Sequence, residues 1–199
     1  MPTTWNPSDK TAGTTLSNGN LTVVFTATGN GVRSIYSDTA GKWYWEATYN
    51  SGSSQCIGFA NASAVLSTVW TTSTNAVVAY NGSIDVNNVS QSGAGFTILT
   101  GHTVAVAIDL GAQRIWFRNV TTSGNWNNNV ANNPATNVGG LNIAVLGSPL
   151  FALLAGIGTA NWSTNFGATT LAGAVPSGFT AGFGPVAAGT SQARVLILA

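Results

Sequence analysis

The side chains that could carry out acid–base or nucleophilic chemistry are few and far apart. The five carboxylates are Asp9, Asp38, Glu46, Asp85 and Asp109. No short spacing puts two of them on one face of a strand, so the paired carboxylates of glycoside hydrolysis have no motif here. We predict structural roles for Glu46, on the polar face of its strand, and for Asp109, within reach of Arg114. A glycoside hydrolase is the alternative, and it requires a second carboxylate roughly 5–9.5 Å from Glu46 or Asp109.

The single histidine and the single cysteine are also predicted to be structural. His102 stands at the start of a strand, with no orienting acid close to it in the sequence. Cys56 lies in an apolar strand, where a thiol is usually a small buried hydrophobe. One cysteine allows neither an intramolecular disulfide nor a cysteine-based zinc site, and no phosphate-binding or dinucleotide-binding motif is present. The sequence thus predicts no catalytic residues, no metal and no cofactor.

Aromatic rings and side-chain amides are the remaining candidates for a binding site. Rings stack on the apolar patches of sugars or proteins, and asparagine gives directed hydrogen bonds. The predicted ligand-binding residues are Trp70, Tyr80, Asn81, Asn125, Trp126 and Asn127. For the three rings, packing inside the fold is the alternative to ligand contact, and the sequence leaves both possibilities open.

Charge is scarce along the whole chain. Of 199 residues, six are Lys or Arg and five are Asp or Glu, which gives a net charge of +1. This balance supplies neither a basic field for nucleic acid nor a polybasic patch for a membrane surface. The N-terminal residues lack the basic and apolar segments of a secretion signal, and the longest apolar run, 150–157, is shorter than the roughly 20 residues that span a bilayer. We expect no nucleic-acid partner, no membrane partner and no export through a signal peptide.

Short blocks with apolar residues at every second position indicate an all-β protein. The predicted strands are 21–26, 42–49, 55–60, 75–80, 102–110, 114–118, 150–156, 162–166 and 194–198. We predict one domain over residues 1–199, an antiparallel two-sheet jelly-roll-like β-sandwich, with 185–199 as a C-terminal extension or edge strand. The Asn- and Gly-rich stretch 121–140 is predicted to be a long exposed loop. The predicted core contains Trp43, Trp45, Phe59, Val104, Val106, Ile108, Phe117 and Phe166.

Several segments, in order, resemble SPRY domains, a family of concanavalin A-like sandwiches. They are GKWYWE at 41–46, CIGFA at 56–60, VVAYNG at 77–82, GHTVAVAIDL at 101–110, IWFRN at 115–119, NFG at 165–167 and PSGF at 176–179. Residues 5–10, 16–21 and 132–140 are more narrowly similar to SPRY-like proteins of bacteriophages and prophages. The resemblance covers about residues 3–184.

The resemblance implies a non-enzymatic binding module that uses loops at one end of the sandwich, and it brings no catalytic residues to transfer. We predict a virion-surface protein of a tailed phage, as a tail-fibre, head-fibre or decoration component. Its expected partners are other virion proteins, further copies of itself in a homo-oligomer, and a host-surface glycan or protein. The alternative is a free bacterial lectin or adhesin that binds carbohydrate.

Overall fold

The computed structural model describes residues 3–26 and 29–185, and these form fifteen β-strands with one short helix. The strands are β1 (Trp5–Lys10), β2 (Thr14–Ser17), β3 (Thr22–Phe25), β4 (Asn30–Asp38), β5 (Lys42–Gly52), β6 (Cys56–Ala60), β7 (Ala76–Tyr80), β8 (Ser83–Val86), β9 (Val89–Ser90), β10 (Thr103–Asp109), β11 (Arg114–Asn119), β12 (Leu141–Asn142), β13 (Leu150–Gly156), β14 (Ala160–Asn165) and β15 (Thr180–Ala181). The helix is α1 (Val69–Thr72), and short 3-10 turns lie at Trp126–Asn128, Pro134–Thr136 and Ala144–Leu146. The predicted edge strand at 194–198 lies outside the described residues.

The strands form two sheets that pack face to face. The 7-stranded sheet has the order β1-β4-β13-β6-β7-β8-β9. The 8-stranded sheet has the order β12-β11-β10-β5-β14-β3-β2, and β15 pairs with β5 in parallel. All other pairings are antiparallel, which confirms the predicted all-β two-sheet sandwich.

The central core follows from strand alternation, because successive side chains of a strand point to opposite faces. On β10, Val104, Val106 and Ile108 point inward and are fully buried. Seven of the eight predicted core residues lie in this central cluster. The exception is Trp43, which is half-buried at the rim of the cluster and donates its indole N–H to the Ala40 carbonyl at 3.0 Å.

Each sheet also carries a second, smaller apolar cluster on its outer face. On the 7-stranded sheet, Cys56, Ala60, Val78 and neighbouring residues lie under the segment that contains α1. On the 8-stranded sheet, a cluster around Tyr44, Trp116 and Trp126 is covered partly by residues from 171–179. The sandwich is therefore four layers deep in places, with loops as the outermost layers.

Two details of the sequence prediction were wrong. The stretch 121–140 is not exposed throughout, because Trp126 and Asn127 are buried against the outer face of the 8-stranded sheet. Asp109 does not pair with Arg114: its carboxylate contacts Lys42 Nζ at 3.1 Å and accepts the N–H of Ala112 at 2.9 Å. Lys42 on β5 and Arg114 on β11 both lie directly opposite Asp109, but the Arg114 guanidinium extends instead to the carbonyl of Gly140 at 3.3 Å.

Candidate functional site

The six ligand-binding residues predicted from sequence do not form one site. Trp70 and Tyr80 lie against the outer-face cluster of the 7-stranded sheet. Trp126 and Asn127 lie against the outer face of the 8-stranded sheet, on the opposite side of the sandwich. Any ligand that touches both groups would have to pass around the molecule, so at most one group belongs to a single compact site.

The group on the 7-stranded sheet combines two half-buried rings with an exposed amide. The indole of Trp70 donates to the Ser67 carbonyl at 3.2 Å, and the hydroxyl of Tyr80 donates to Asp85 at 3.1 Å. Asn81 is exposed in the turn between β7 and β8, and its side-chain oxygen accepts the N–H of Ile98 at 3.0 Å. These contacts fix the turn, and they leave part of each ring at the surface.

The group on the 8-stranded sheet is mostly enclosed. Trp126 is 9% exposed, and Asn127 is 3% exposed. The Asn127 amide accepts the N–H of Phe117 at 2.9 Å and donates to the carbonyls of Ile115 and Gly139 at 3.2 and 3.0 Å. Asn125, just before them, is exposed. Asn127 therefore fastens the loop to β11, and Asn125 is the member of this group that faces solvent.

Each carboxylate has its own hydrogen-bond or ion-pair partners, including Glu46 and Asp109, the two that the sequence predicts to be structural. Asp9 pairs with Arg33 at 2.7 Å, Asp38 accepts from Tyr36 at 2.6 Å, and Asp85 accepts from Tyr80 and Ser83. Glu46 accepts from Tyr44 and from two backbone N–H groups, and Asp109 contacts Lys42. Among the described residues, no group of three or more His, Cys, Asp and Glu side chains is placed to hold a metal ion.

A segment of chain crosses the outer face of the 8-stranded sheet and is held by polar side chains beneath it. We call residues 169–174 the crossing segment. Asn165 donates to the carbonyls of Thr169 and Thr170 at 3.2 and 3.1 Å. Glu46 accepts the backbone N–H groups of Ala172 and Gly173, both at 2.7 Å. Arg118 donates to the Ala174 carbonyl at 3.1 Å.

These three anchors stand in one row across the sheet. In the strand register, Asn165 lies opposite Glu46, Glu46 opposite Ala105, and Ala105 opposite Arg118. Each side chain points outward, so a single row supplies contacts along the whole crossing segment. Sequence reasoning missed this row because Glu46 and Ala172 are 126 positions apart, and no local pattern records such a contact.

Glu46, Tyr44 and Arg118 form a buried polar cluster under the crossing segment. Glu46 is 2% exposed and accepts the Tyr44 hydroxyl at 2.5 Å. Burial, followed by the hydrogen bond to Glu46, raises the pKa of Tyr44 well above its usual value, while the Arg118 guanidinium acts in the opposite direction. The guanidinium carbon also lies 4.4 Å from the centre of the Trp126 ring. The cluster holds chain segments in place, and its phenol stays protonated at neutral pH.

Two open depressions border the crossing segment. The first, which we call the outer groove, has a volume of about 290 Å³ and is lined chiefly by Thr48, Thr103, Ser163, Thr169, Thr170 and Glu46. The second, the Arg118 cleft, has a volume of about 270 Å³ and includes Val120, Ser123 and Gly173. Glu46 is the single carboxylate among the residues that line the outer groove, so the second carboxylate that a glycosidase needs is not found there.

Within residues 3–26 and 29–185, the contacts of Cys56 and His102 are those of structural side chains. Cys56 is buried, and its burial, with a smaller contribution from Asp85, raises the pKa of its thiol to about 12. A thiol with such a pKa is not a nucleophile at neutral pH, because the thiolate is the reactive form. The Nδ1 atom of His102 accepts the N–H of Leu99 at 3.2 Å and lies 2.6 Å from the Asn119 amide nitrogen.

Solved structures with the same architecture include two SPRY domains. The SPRY domain of human HERC1 gives a TM-score of 0.62 at 12% identity, with 80% of this chain and 96% of that chain covered. The TRIM65 PSpry domain gives 0.61 at 13% identity, with 83% and 92% covered. Stonustoxin gives 0.57 at 14% identity, and the match covers 83% of this chain but 27% of the stonustoxin chain. The chain has a SPRY-like fold.

No protein-family model matches the sequence, and no curated protein matches it either. At 12–14% identity the structural likeness establishes the sandwich and carries no residue roles with it. The chemistry of this SPRY-like sandwich must therefore be judged from its own side chains. The side chains on the outer face of the 8-stranded sheet are suited to positioning loops and to hydrogen bonding. Separately, none of the described helices is long and apolar enough to cross a membrane.

Proposed function

We propose that this chain is a non-enzymatic binding and structural protein on the surface of a bacteriophage virion, as a tail-fibre, head-fibre or decoration component. In this role it presents loops of a SPRY-like sandwich to a host-surface glycan or protein. The observation that carries the binding role is the row of Asn165, Glu46 and Arg118. Its polar groups hold the crossing segment in a fixed position beside two open depressions.

The hydrogen bonds of Glu46 support a non-catalytic role. Both oxygens of Glu46 accept backbone N–H groups, and Tyr44 occupies one of them as well. A carboxylate that already accepts three hydrogen bonds is poorly placed to transfer a proton to a substrate. SPRY domains generally act as non-catalytic interaction domains, and the analogy extends to this chain as part of the proposal.

The virion location is supported by sequence features. Residues 5–10, 16–21 and 132–140 resemble phage and prophage SPRY-like proteins, and the net charge of +1 on 199 residues favours association. An exposed surface of Thr, Ser, Asn and Gly suits a protein that meets both neighbouring subunits and a host surface. We expect the protein to assemble with copies of itself and with other virion proteins.

The test is to purify particles of the phage or induced prophage that encodes the chain and to quantify the protein by mass spectrometry. We expect a stoichiometric copy number relative to the major capsid protein, and loss of host adsorption when the gene is deleted. A cytoplasmic protein of the host serves as the contamination control. Absence from purified particles contradicts the virion role, and recovery at the bacterial surface instead supports the free lectin or adhesin.

A further inference from the structure

The outer groove is lined by a row of hydroxyl groups from three neighbouring strands. Ser163 on β14 lies opposite Thr48 on β5, and Thr48 lies opposite Thr103 on β10. Because adjacent strands are about 4.8 Å apart, these hydroxyls repeat across the floor of the groove at that spacing. Thr169 and Thr170, on the crossing segment, add two exposed hydroxyls along one wall.

The hydroxyls on the floor retain hydrogen-bonding capacity. Thr48 and Thr103 bond to each other at 2.8 Å, and Ser163 accepts from the Asn50 amide at 2.8 Å. A hydroxyl has one donor and two acceptor positions, so these bonds leave further donor and acceptor positions on residues that line the groove. The floor is thus a fixed array of groups that can both give and accept hydrogen bonds.

The outer groove offers few charged groups to an ionic ligand. Glu46 is the one ionisable residue that lines the outer groove, and its oxygens are already occupied by Tyr44 and by two N–H groups of the crossing segment. An anionic ligand would meet its negative charge, and a cationic ligand would find at most one acceptor position left, on Oε2. The lining therefore favours an uncharged ligand that is rich in hydroxyl groups.

We propose that the outer groove binds an uncharged saccharide. An extended peptide fits less well, because peptides are usually bound at a sheet edge or in apolar pockets. The floor of this groove is the face of a sheet whose backbone groups are paired within β14, β5 and β10. The inference rests on the proposed function, since a host-surface glycan is one of the two ligand classes named there, and it specifies the site and the charge of that glycan.

The experiment uses the whole protein against an array of neutral and acidic bacterial glycans, followed by calorimetric titration with the neutral oligosaccharide that binds most strongly. Thr103→Val and Ser163→Ala each remove one floor hydroxyl with little change in shape. Thr15→Val is the matched control, because Thr15 is exposed on β2 of the same sheet and outside the groove. Thermal melts establish that all three variants fold.

We expect Thr103→Val and Ser163→Ala each to weaken the neutral saccharide about three- to tenfold, the range for one neutral hydrogen bond, and Thr15→Val to leave binding unchanged. Three results would overturn the inference: binding of acidic glycans only, equal affinity in the groove variants and the control, or no neutral glycan bound by the folded protein. Mass spectrometry of particles is independent of these results, so a failed groove and a failed virion role can be told apart.

Discussion

The two sheets each use one arginine to hold a loop against their outer face, and the two arginines differ in how completely they are paired. On the 7-stranded sheet, the Arg33 guanidinium forms two bonds to Asp9, at 2.7 and 3.0 Å. It also donates to the carbonyls of Asn61, Ala62 and Ala64 at 2.8–3.2 Å. Arg118, on the 8-stranded sheet, has no carboxylate within 4.0 Å among the described residues.

The difference separates a closed region from an open one. Arg33 is neutralised by a bidentate carboxylate and shielded from solvent, so its network completes the fold and leaves little for a ligand. Arg118 donates to one carbonyl, lies over the Trp126 ring and borders an open cleft. Its Nε atom is buried and has no hydrogen-bond partner in the described part of the chain. The 8-stranded face therefore keeps beside an open cleft a positive charge with no carboxylate partner among the described residues, whereas the 7-stranded face neutralises its arginine with Asp9.

Arg33→Met should give the largest loss of stability. The substitution leaves three loop carbonyls and the Asp9 carboxylate without their donor, and removing one partner of a largely buried ion pair costs about 3–5 kcal/mol. Arg118→Met, the matched substitution on the other face, should cost about 1 kcal/mol, because it removes one hydrogen bond and keeps an apolar chain over Trp126. Urea unfolding measures both free energies. Equal costs would contradict the contrast between the two faces.

Glu46→Gln should have an intermediate and more local effect. The amide keeps one acceptor but turns an NH₂ group toward a backbone N–H of the crossing segment, so we expect a loss of about 2–3 kcal/mol. Hydrogen exchange at Ala172 and Gly173 should accelerate while β5 and β10 stay protected. Asp38→Asn, at a half-exposed carboxylate, is the control and should cost less than about 1 kcal/mol. Uniform acceleration across the sheet would show that Glu46 supports the sandwich as a whole.

The sequence predicts most of the central strands, and it predicts much less of the candidate site. In β5 and β10 the alternate positions that face the core are all apolar from Trp43 to Tyr49 and from Val104 to Ile108, so both strands were predicted correctly, with Trp43 at the rim of the core. The nine-residue β4 was missed because its pattern is inverted. Ser34 points inward, where its hydroxyl donates to the Tyr36 carbonyl and accepts the N–H of Ala152, while Ile35 is 57% exposed.

The site depends on contacts that no local pattern records. Asn127 was predicted as a ligand-binding residue because an Asn-rich loop is usually solvated. Its side-chain amide instead bonds to backbone groups of β11, as a neighbouring strand would: it accepts the N–H of Phe117 and donates to the carbonyl of Ile115. The outer groove exists because Ser163, Thr48 and Thr103 come from strands that are adjacent in the sheet and distant in the chain. Strand order is set by the global topology, so the row of hydroxyls appears only once the sheet is assembled.

Raising the pH above about 9 should lower the free energy of unfolding through one buried group on each outer face. Burial raises the pKa of Cys56, on the 7-stranded face, from 9.0 to about 12, and burial with the Glu46 contact raises that of Tyr44, on the 8-stranded face, from 10.0. Both groups are neutral when protonated, and the unfolded chain loses these protons first. Their stabilising contribution is therefore complete below about pH 9 and about pH 10 respectively, and it falls as the pH rises toward the folded pKa.

The measurement is the free energy of unfolding between about pH 8 and about pH 11 for the wild type, Cys56→Ala and Tyr44→Phe. Cys56→Ala should remove the decline that begins near pH 9, and Tyr44→Phe should remove part of the decline that begins near pH 10. A thiol reagent should react with Cys56 only on unfolding, because the side chain is buried. Identical pH profiles for all three proteins would contradict this assignment.

Salt concentration should have the smallest effect on stability. Its effect on ligand affinity tests whether the 8-stranded face binds through neutral or charged groups. The described residues contain two ion pairs, Arg33–Asp9 and Lys42–Asp109. The first is shielded, and the second has a lysine side chain that is 40% exposed, so raising NaCl from about 50 mM to about 500 mM should change stability by less than about 1 kcal/mol. Binding of a neutral saccharide should be equally insensitive, because hydroxyl contacts carry no net charge to screen. The affinity for a phosphate or sialic acid bound by Arg118 would instead fall severalfold over the same range. One salt titration of glycan binding therefore shows whether the ligand contacts the hydroxyls of the outer groove or the Arg118 guanidinium.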